Sequence, residues 1–468
     1  MRFVNLWEVK TPWLLAASRH AAPIGGPEYH RDTFPYSLPP LARFEAEAVP
    51  LDPAPEIWIT DTTFRDGQQS RAPYSPEQIA DLYGLLSTLG GPRGMIRQSE
   101  FFLYTAKDRR AVELCQRLDL RYPEITGWIR ATLDDYRLVR DAGLREAGIL
   151  ASISDYHVFR KLGSDRETVL DQYRRVVEAA LADGVVPRVH LEDATRADVQ
   201  GVVVPFVRQL MELGEQAGIQ VKIRYPDTLG VGVPHPNAAL PRGIPRLTRA
   251  LRRDAGVPSE ALEYHGQNDL DAIVPNAVSA WLYGASANNC TLLGIGERSG
   301  NTPIESLVFW LISLTGETHG IETRVITEIA DYYRAMGEPI DARLPLVGAD
   351  FNVTRAGIHA DGLIKDEEIY NPFDSARLLG RPPRVAITDK SGAAGLLMWI
   401  RDHRPDLAED LTKQDGRLRL VGDAVMHEYS AGRMTSLSDD EVERLVDSAF
   451  KPVPPPCGEG AGGGTRQG

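Results

Sequence analysis

The chain has little cysteine, no long apolar run and no surplus of positive charge. Only three of its 468 residues are Cys (Cys115, Cys290 and Cys457), far apart and without CxxC spacing, which excludes a disulfide scaffold and a zinc-thiolate site. Their expected state is the reduced thiol, in the cytoplasm. No stretch approaches the roughly 20 apolar residues of a membrane helix, and the weakly apolar run from Pro12 to Ala17 is too short for a signal peptide. A formal charge of −13 makes a nucleic-acid backbone an unsuitable partner. What remains is an ordinary soluble composition, 43% hydrophobic and 25% charged.

Within that composition one stretch changes from apolar to densely functional in a few residues: Ile57 to Ser70, IWITDTTFRDGQQS. Ile57, Trp58 and Ile59 read as a short buried strand, and Asp61, Thr62, Thr63, Arg65, Asp66, Gln68 and Gln69 crowd its end. A carboxylate beside a guanidinium suits a metal and an anionic substrate, although such a pair alone would serve equally to tie down a turn. From there short apolar runs alternate with segments of helical period. Eight strands are expected, at 57–61, 95–100, 125–130, 147–153, 187–191, 221–225, 261–265 and 290–295. Eight βα units predict an α/β fold, a (β/α)8 TIM barrel. The helix before the fifth strand has Val169, Tyr173, Val176, Val177 and Ala180 on one stripe, with Ser164 as its expected cap and Gly184 as its end. Polar clusters follow the apolar runs in phase, as they should if chemistry sits where strands end.

Around the barrel, expected at 56–316, lie an N-terminal arm (1–55), a small, mainly helical C-terminal region (317–450) and a Pro- and Gly-rich tail (451–468) expected to be disordered. The arm carries aromatic anchors at Trp7, Trp13, Tyr29, Phe34 and Tyr36, which should lie over the barrel bottom or a neighbouring subunit.

DTTFRDGQQ resembles the signature of the metal-dependent TIM-barrel family that contains isopropylmalate synthase, homocitrate synthase and hydroxymethylglutaryl-CoA lyase. ASISDYHVFRKLGSDRETVL, HLEDATRAD, PDTLG, HGQNDLDAIVPNAVSAWLYGA and GIGERSGN resemble the family's fourth to eighth strand segments. NVTRAGIHADGLIK and TDKSGAAGLLMWI resemble the small subdomains of its synthases. The resemblance implies a metal held by Asp66, His265, Gln267 and Asn301, with Gln267 where the family usually has a second His. An amide oxygen in that place gives an oxygen-rich site, favouring Mn²⁺ or Co²⁺, with Mg²⁺ also suited, over tightly held zinc. Arg65 is then expected at the ketone oxygen of a 2-oxo acid, and acetyl-CoA is the co-substrate. His359 with Asp361, or Glu192, is expected to move the proton, with Tyr370 nearby. Gln69, Glu100, Arg130, Ser152, Ser154 and Thr228 are expected to line the substrate, with Arg97 and Gln98 reaching its distal acid group.

The expected reaction is a Claisen condensation followed by thioester hydrolysis. Among the synthases, the arm and the AWLYGASANNCTLLGIGERSGN version of the eighth strand resemble Re-type citrate synthases and their sibling, phosphinomethylmalate synthase. The altered metal ligand and the excess of Arg over Lys tilt the expectation to phosphinopyruvate, in phosphinate antibiotic biosynthesis, over oxaloacetate. Homocitrate- or isopropylmalate-type synthesis, an acyl-CoA lyase and a noncatalytic acid-binding barrel are the remaining readings. The length leaves no room for the regulatory domain of isopropylmalate synthases, so feedback inhibition through it is not expected. Arm and subdomains imply a homodimer or larger oligomer.

Overall fold

The apolar run at Ile57 becomes β1 (Trp58–Asp61), buried along its whole length. In this computed structural model, which describes residues 26–451, β1 is followed by β2 (Ile96–Phe101), β3 (Glu124–Arg130), β4 (Glu146–Ser152), β5 (Val186–Glu192), β6 (Lys222–Asp227), β7 (Leu262–Gly266) and β8 (Ala287–Cys290). Each strand pairs in parallel with the next and β8 closes on β1. The helices that cover this barrel are α1 (Pro76–Gly90), α2 (Ala106–Arg117), α3 (Leu133–Asp141), α4 (Arg166–Ala182), α5 (Val204–Ala217), α6 (Ile244–Arg249), α7 (Ile273–Leu282) and α8 (Ile304–Thr315). α4 buries the expected stripe, but its cap is Asp165, not Ser164, because the Asp165 carboxylate accepts from the Thr168 backbone N–H.

Seven strands fall within a residue or two of expectation; the eighth does not. The apolar TLLGI segment turns as a 310 helix, with Leu293 at φ 57°, and the strand is the preceding Ala-Asn-Asn-Cys. Two asparagines are held there by their amide nitrogens: Asn288 donates to the Ala277 carbonyl at 2.9 Å and Asn289 to the Thr60 hydroxyl at 3.0 Å, whereas the buried Asn288 oxygen has no partner among the described residues.

The barrel interior is ionic. Gln98 donates to Glu146 (2.7 Å) and accepts from Arg188, whose guanidinium also meets Glu146 (2.6 Å) and Glu263 (2.5 Å). One layer nearer the strand ends, Arg224 bridges Glu263 (2.5 Å) and Glu100 (2.9 Å). Such a network is stable only because every charge has a partner in register on a neighbouring or facing strand.

The described part of the arm lies along its own barrel, and not over the bottom alone. Tyr29 meets Tyr156 after β4, Phe44 bridges to Ala238 in the loop after β6, and the Ala54 N–H donates to the Trp281 carbonyl in α7. Phe34 is buried, whereas Tyr36 is 95% exposed. Trp7, Trp13, Cys457 and the tail beyond 451 lie outside the described residues.

The chain forms two compact units that divide between Pro339 and Ile340. The first therefore continues past 316 through α9 (Val325–Ala335), fixed by Tyr333 to Tyr74 (hydroxyls 2.7 Å apart) and by Glu338 to Arg71 (2.7 Å). The second contains β9 (Val353–Thr354) paired in parallel with β10 (Arg384–Val385), and the helices α10 (Gly357–Lys365), α11 (Ser375–Leu379), α12 (Gly392–His403), α13 (Pro405–Ala408), α14 (Gly416–Ser430) and α15 (Asp439–Phe450). Its core gathers Leu396, Trp399, Ile400, Val421, Val442 and Val446.

Candidate active site

At the carboxyl end of β1 the chain turns sharply: the Thr62 carbonyl accepts from the N–H groups of Arg65, Asp66 and Gly67. That turn aims Arg65 and Asp66 across the barrel mouth. Arg65 Nε donates to Glu100 Oε2 at 2.8 Å and Nη1 to Asp66 Oδ1 at 2.9 Å, while the guanidinium lies 5.2 Å from the Trp128 ring centroid. Burial pushes the Glu100 carboxyl up, but Arg224 and Arg65 outweigh it and hold the group down to about 2. Both Glu100 oxygens are thus engaged below the mouth, and Glu100 anchors Arg65 instead of touching substrate. His190, 3.4 Å from Glu100, is held well below the usual imidazole range by burial and then by Arg224 and Arg65.

Asp66 Oδ2 is the point where the other three expected metal ligands meet. Asn301 Nδ2 lies 2.6 Å from it, Gln267 Nε2 3.2 Å and His265 Nε2 3.4 Å. Burial lowers the His265 imidazole in spite of Asp66, so the ring is neutral. Asn289 fixes its tautomer: the Asn289 amide nitrogen donates to Thr60, which leaves its oxygen to accept from His265 Nδ1 at 2.8 Å. Nε2 then carries a lone pair aimed at a carboxylate oxygen. Burial raises the Asp66 carboxyl, but the Arg65 guanidinium beside it, with the Asn301 amide donating to it, outweighs burial and keeps Asp66 ionised. Two electron-pair donors therefore face one another, and the buried Gln267 Oε1 and Asn301 Oδ1 have no hydrogen-bond partner. Rotating each amide by half a turn would bring its oxygen to the same point. The donor set fits a hard divalent cation. Among the described residues no three His, Cys, Asp or Glu side chains form a metal cluster; this quartet has two of those types and two amides.

The rim holds a second cluster. Glu192, ending β5, accepts from Lys161 at 2.8 and 3.0 Å and from Ser152, and lies 3.1 Å from His157 Nδ1. Burial acts against ionisation there, but His157 and Lys161 prevail and lower Glu192 to about 2. Glu192 is therefore a poor proton acceptor in this arrangement. Ser154 donates to Asp193 at 2.5 Å and the Thr228 hydroxyl accepts from the Asp193 N–H at 2.8 Å, so Ser154 ties the loop after β4, and Thr228 the loop after β6, to the loop after β5.

Several expected substrate contacts lie elsewhere. Arg130 is two-thirds exposed and clamped by Asp135 at 2.7 Å, because the residue ending β3 projects past the mouth. Gln98 lies a layer too deep, in the ion network, and Arg97 faces outward, 4.0 Å from the Trp58 ring centroid and paired with Glu56. Gln69 is exposed on the 310 turn Gly67–Ser70. In the second unit, His359 packs on Tyr370 with ring centroids 4.5 Å apart, but Asp361 binds Lys365 (2.7 Å) and Lys413. Two residues apart on α10, the pair points to different sides and forms no His-Asp dyad. Trp128, Lys161 and Arg224 were not singled out from sequence. Only Trp128 left a signal, two positions before Arg130 on the same face of β3.

Residues 56–332 match the family model described as HMGL-like. The chain is 52% identical to citrate (Re)-synthase of Syntrophus aciditrophicus (strain SB), over 90% of this chain and 67% of that protein. It is 45% identical to citrate (Re)-synthase of Clostridium kluyveri, over 92% and 95% respectively. To 2-phosphinomethylmalate synthase of Streptomyces hygroscopicus it is 37% identical, over 91% and 97%. Its fold is shared with hydroxymethylglutaryl-CoA lyase from Pseudomonas aeruginosa: TM-score 0.50, 18% identity, covering 62% of this chain and 95% of that one.

Proposed function

Because the chain belongs to the HMGL-like family, we propose that it condenses acetyl-CoA with oxaloacetate and hydrolyses the resulting thioester to citrate. The observation that carries this reading is Arg65, buried and fixed between Glu100 and Asp66, on whose Oδ2 three further side chains converge. A divalent cation bound by Asp66, His265, Gln267 and Asn301, with Mn²⁺ or Co²⁺ favoured by the two amides, would supply a Lewis acid for the ketone of the 2-oxo acid. Arg65 adds a fixed positive charge where the alkoxide develops, and its cost of orientation is met in advance by Glu100 and Trp128. Arg224 keeps Glu100 ionised, so the anchor does not protonate at working pH. Lys161 and His157 carry N–H groups at the rim to meet the second carboxylate of a diacid. The resemblance leaves the proton at the methyl group of acetyl-CoA to His359, since Glu192 is too weakly basic.

Phosphinopyruvate, favoured from sequence alone, yields to oxaloacetate because both citrate (Re)-synthases are more similar to this chain than the 37%-identical phosphinomethylmalate synthase. That relative keeps the phosphinate acid as the second reading. The buried free thiols Cys115 and Cys290 suit a reducing compartment such as the cytoplasm. The test is thiol release from acetyl-CoA by the metal-reconstituted protein, with oxaloacetate, phosphinopyruvate, pyruvate, 2-oxoglutarate and 2-oxoisovalerate offered in parallel. The highest kcat/KM is expected with oxaloacetate. A preference for another acid overturns the substrate, and no release with Mn²⁺, Co²⁺ or Mg²⁺ overturns the reaction.

A further inference from the structure

Where the arm meets the loops after β4 and β5, three guanidinium groups gather on two tyrosine rings. Tyr29 and Tyr156 lie 5.0 Å apart between centroids, at 51°. Arg31, Arg160 and Arg196 all lie within 5.6 Å of the Tyr156 centroid, and Arg160 lies 4.2 Å from that of Tyr29. Arg196 is neutralised by Asp193 at 2.8 Å. Arg31 and Arg160 are exposed, and neither forms an ion pair among the described residues. The nearby carboxylates are committed: Asp155 takes both arms of Arg166 and the Glu28 N–H, and Glu28 accepts from the His30 N–H at 2.6 Å.

Like charges gathered without counter-ions repel, and ring faces offset only part of that cost. The same arrangement, preorganised and open to solvent, is what an oxyanion with several charges requires. Its location narrows the ligand. Tyr156 begins the π-helical turn Tyr156–Lys161, and His157 and Lys161 of that turn meet Glu192 at the barrel mouth. Arg196 ends the 310 turn directly after β5. The cluster thus stands at the rim of the face where chemistry occurs. Of the two substrates in the condensation reading, only the CoA thioester has phosphates, and these sit at the far end from its reacting carbon.

We propose that Arg31, Arg160 and Arg196, held on Tyr29 and Tyr156, bind the phosphate groups of acetyl-CoA. The inference rests on the condensation reading, and it makes the arm part of the co-substrate site. Arg31→Ala, Arg160→Ala and the double variant are compared with wild type and with Arg253→Ala, an exposed control paired with Asp52. Each replacement should raise KM for acetyl-CoA about tenfold, the size of one lost charge-assisted contact, and leave kcat and the KM of the oxo acid within about twofold. Arg160→Lys should recover part of the loss. Acetyl-pantetheine, which lacks the phosphates, should show no difference between wild type and variants. Calorimetric titration with CoA alone should show the same weakening without turnover, so it reads the site even if the reaction is another one. Equal effects on acetyl-CoA and acetyl-pantetheine, or unchanged CoA affinity in the double variant with an intact thermal transition, overturn the proposal. So does ADP or pyrophosphate that changes the rate without competing with acetyl-CoA, because the cluster would then serve a free polyphosphate.

Discussion

Gln267 distinguishes this site from a two-histidine one. Its amide oxygen is buried without a partner and its nitrogen faces Asp66. Gln267→His replaces a hard oxygen with a nitrogen suited to softer ions, so zinc affinity relative to Mn²⁺ should rise by about tenfold or more. Competition titration of the metal-free protein measures this, and an unchanged order of preference would remove Gln267 from the ligand set. Glu192 yields a prediction of the opposite kind. A carboxyl at about 2 accepts no proton at neutral pH, so Glu192→Gln should lower kcat by about tenfold or less, against the roughly 10²- to 10⁴-fold expected for a lost general base. The pH profile of kcat should keep its acid limb. Asp66 and Arg65 were legible because adjacent opposite charges at a strand end have few structural uses. Glu100 was legible as a site residue but not in its role, since that role depends on Arg224, which comes 124 residues later in the chain. Asp361 is taken by Lys365 and Lys413 instead of pairing with His359: the first competitor, four residues on along α10, is readable in the sequence, and the second is hidden by its distance along the chain.

At the start of α8, Glu305 is 1% exposed, with one oxygen accepting from the Leu293 N–H at 2.9 Å and the other without a partner. Burial raises its carboxyl from 4.5 to about 7. The folded state therefore holds this proton more tightly than the unfolded chain does. The contribution to stability is complete below about pH 4.5 and is lost as pH rises through 7, amounting to about 3 kcal/mol by linkage. Glu305→Gln keeps the shape and removes the titration. Urea midpoints at pH 5.0 and 7.5 should therefore converge for the variant relative to wild type; an equal pH response in both would show that Glu305 ionises freely. The same corner shows what element-scale patterning misses. Apolar runs located seven strands, yet the eighth, Ala287–Cys290, is half asparagine, and the apolar segment after it is a turn. Amide hydrogen bonds, not hydrophobicity, mark that strand, and the acceptors of Asn288 and Asn289, Ala277 and Thr60, lie on other elements. The cap of α4 differs by one residue because Asp165 and Ser164 both have capping side chains, and only backbone geometry decides which one reaches Thr168.

For the whole molecule, βα units in phase made the barrel readable before any coordinate, because seven of the eight strand ends repeat the same change from apolar to polar. The division between units was less readable. α9 is assigned to the first unit by contacts with distant segments of the chain: Tyr333 with Tyr74, Tyr332 with Asp81 of α1 and, just beyond the helix, Glu338 with Arg71. Each unit has its own core, one inside and around the closed barrel and one around Trp399, and the four convergent side chains at Asp66 all belong to the first. A chain ending at Pro339 should consequently keep a cooperative thermal transition and bind Mn²⁺ with near wild-type affinity. On the proposed assignment of proton transfer to His359, it should nonetheless release thiol from acetyl-CoA at least about 10²-fold more slowly, because that residue has been removed with the second unit. The variant His359→Ala in the full chain separates that cause from a general loss of order. It should match the truncated chain in kcat, down by about 10²-fold or more, while its melting temperature stays within a few degrees of wild type. Activity retained in both would place the base within the barrel unit, and His157, beside Glu192, would be the first residue to replace.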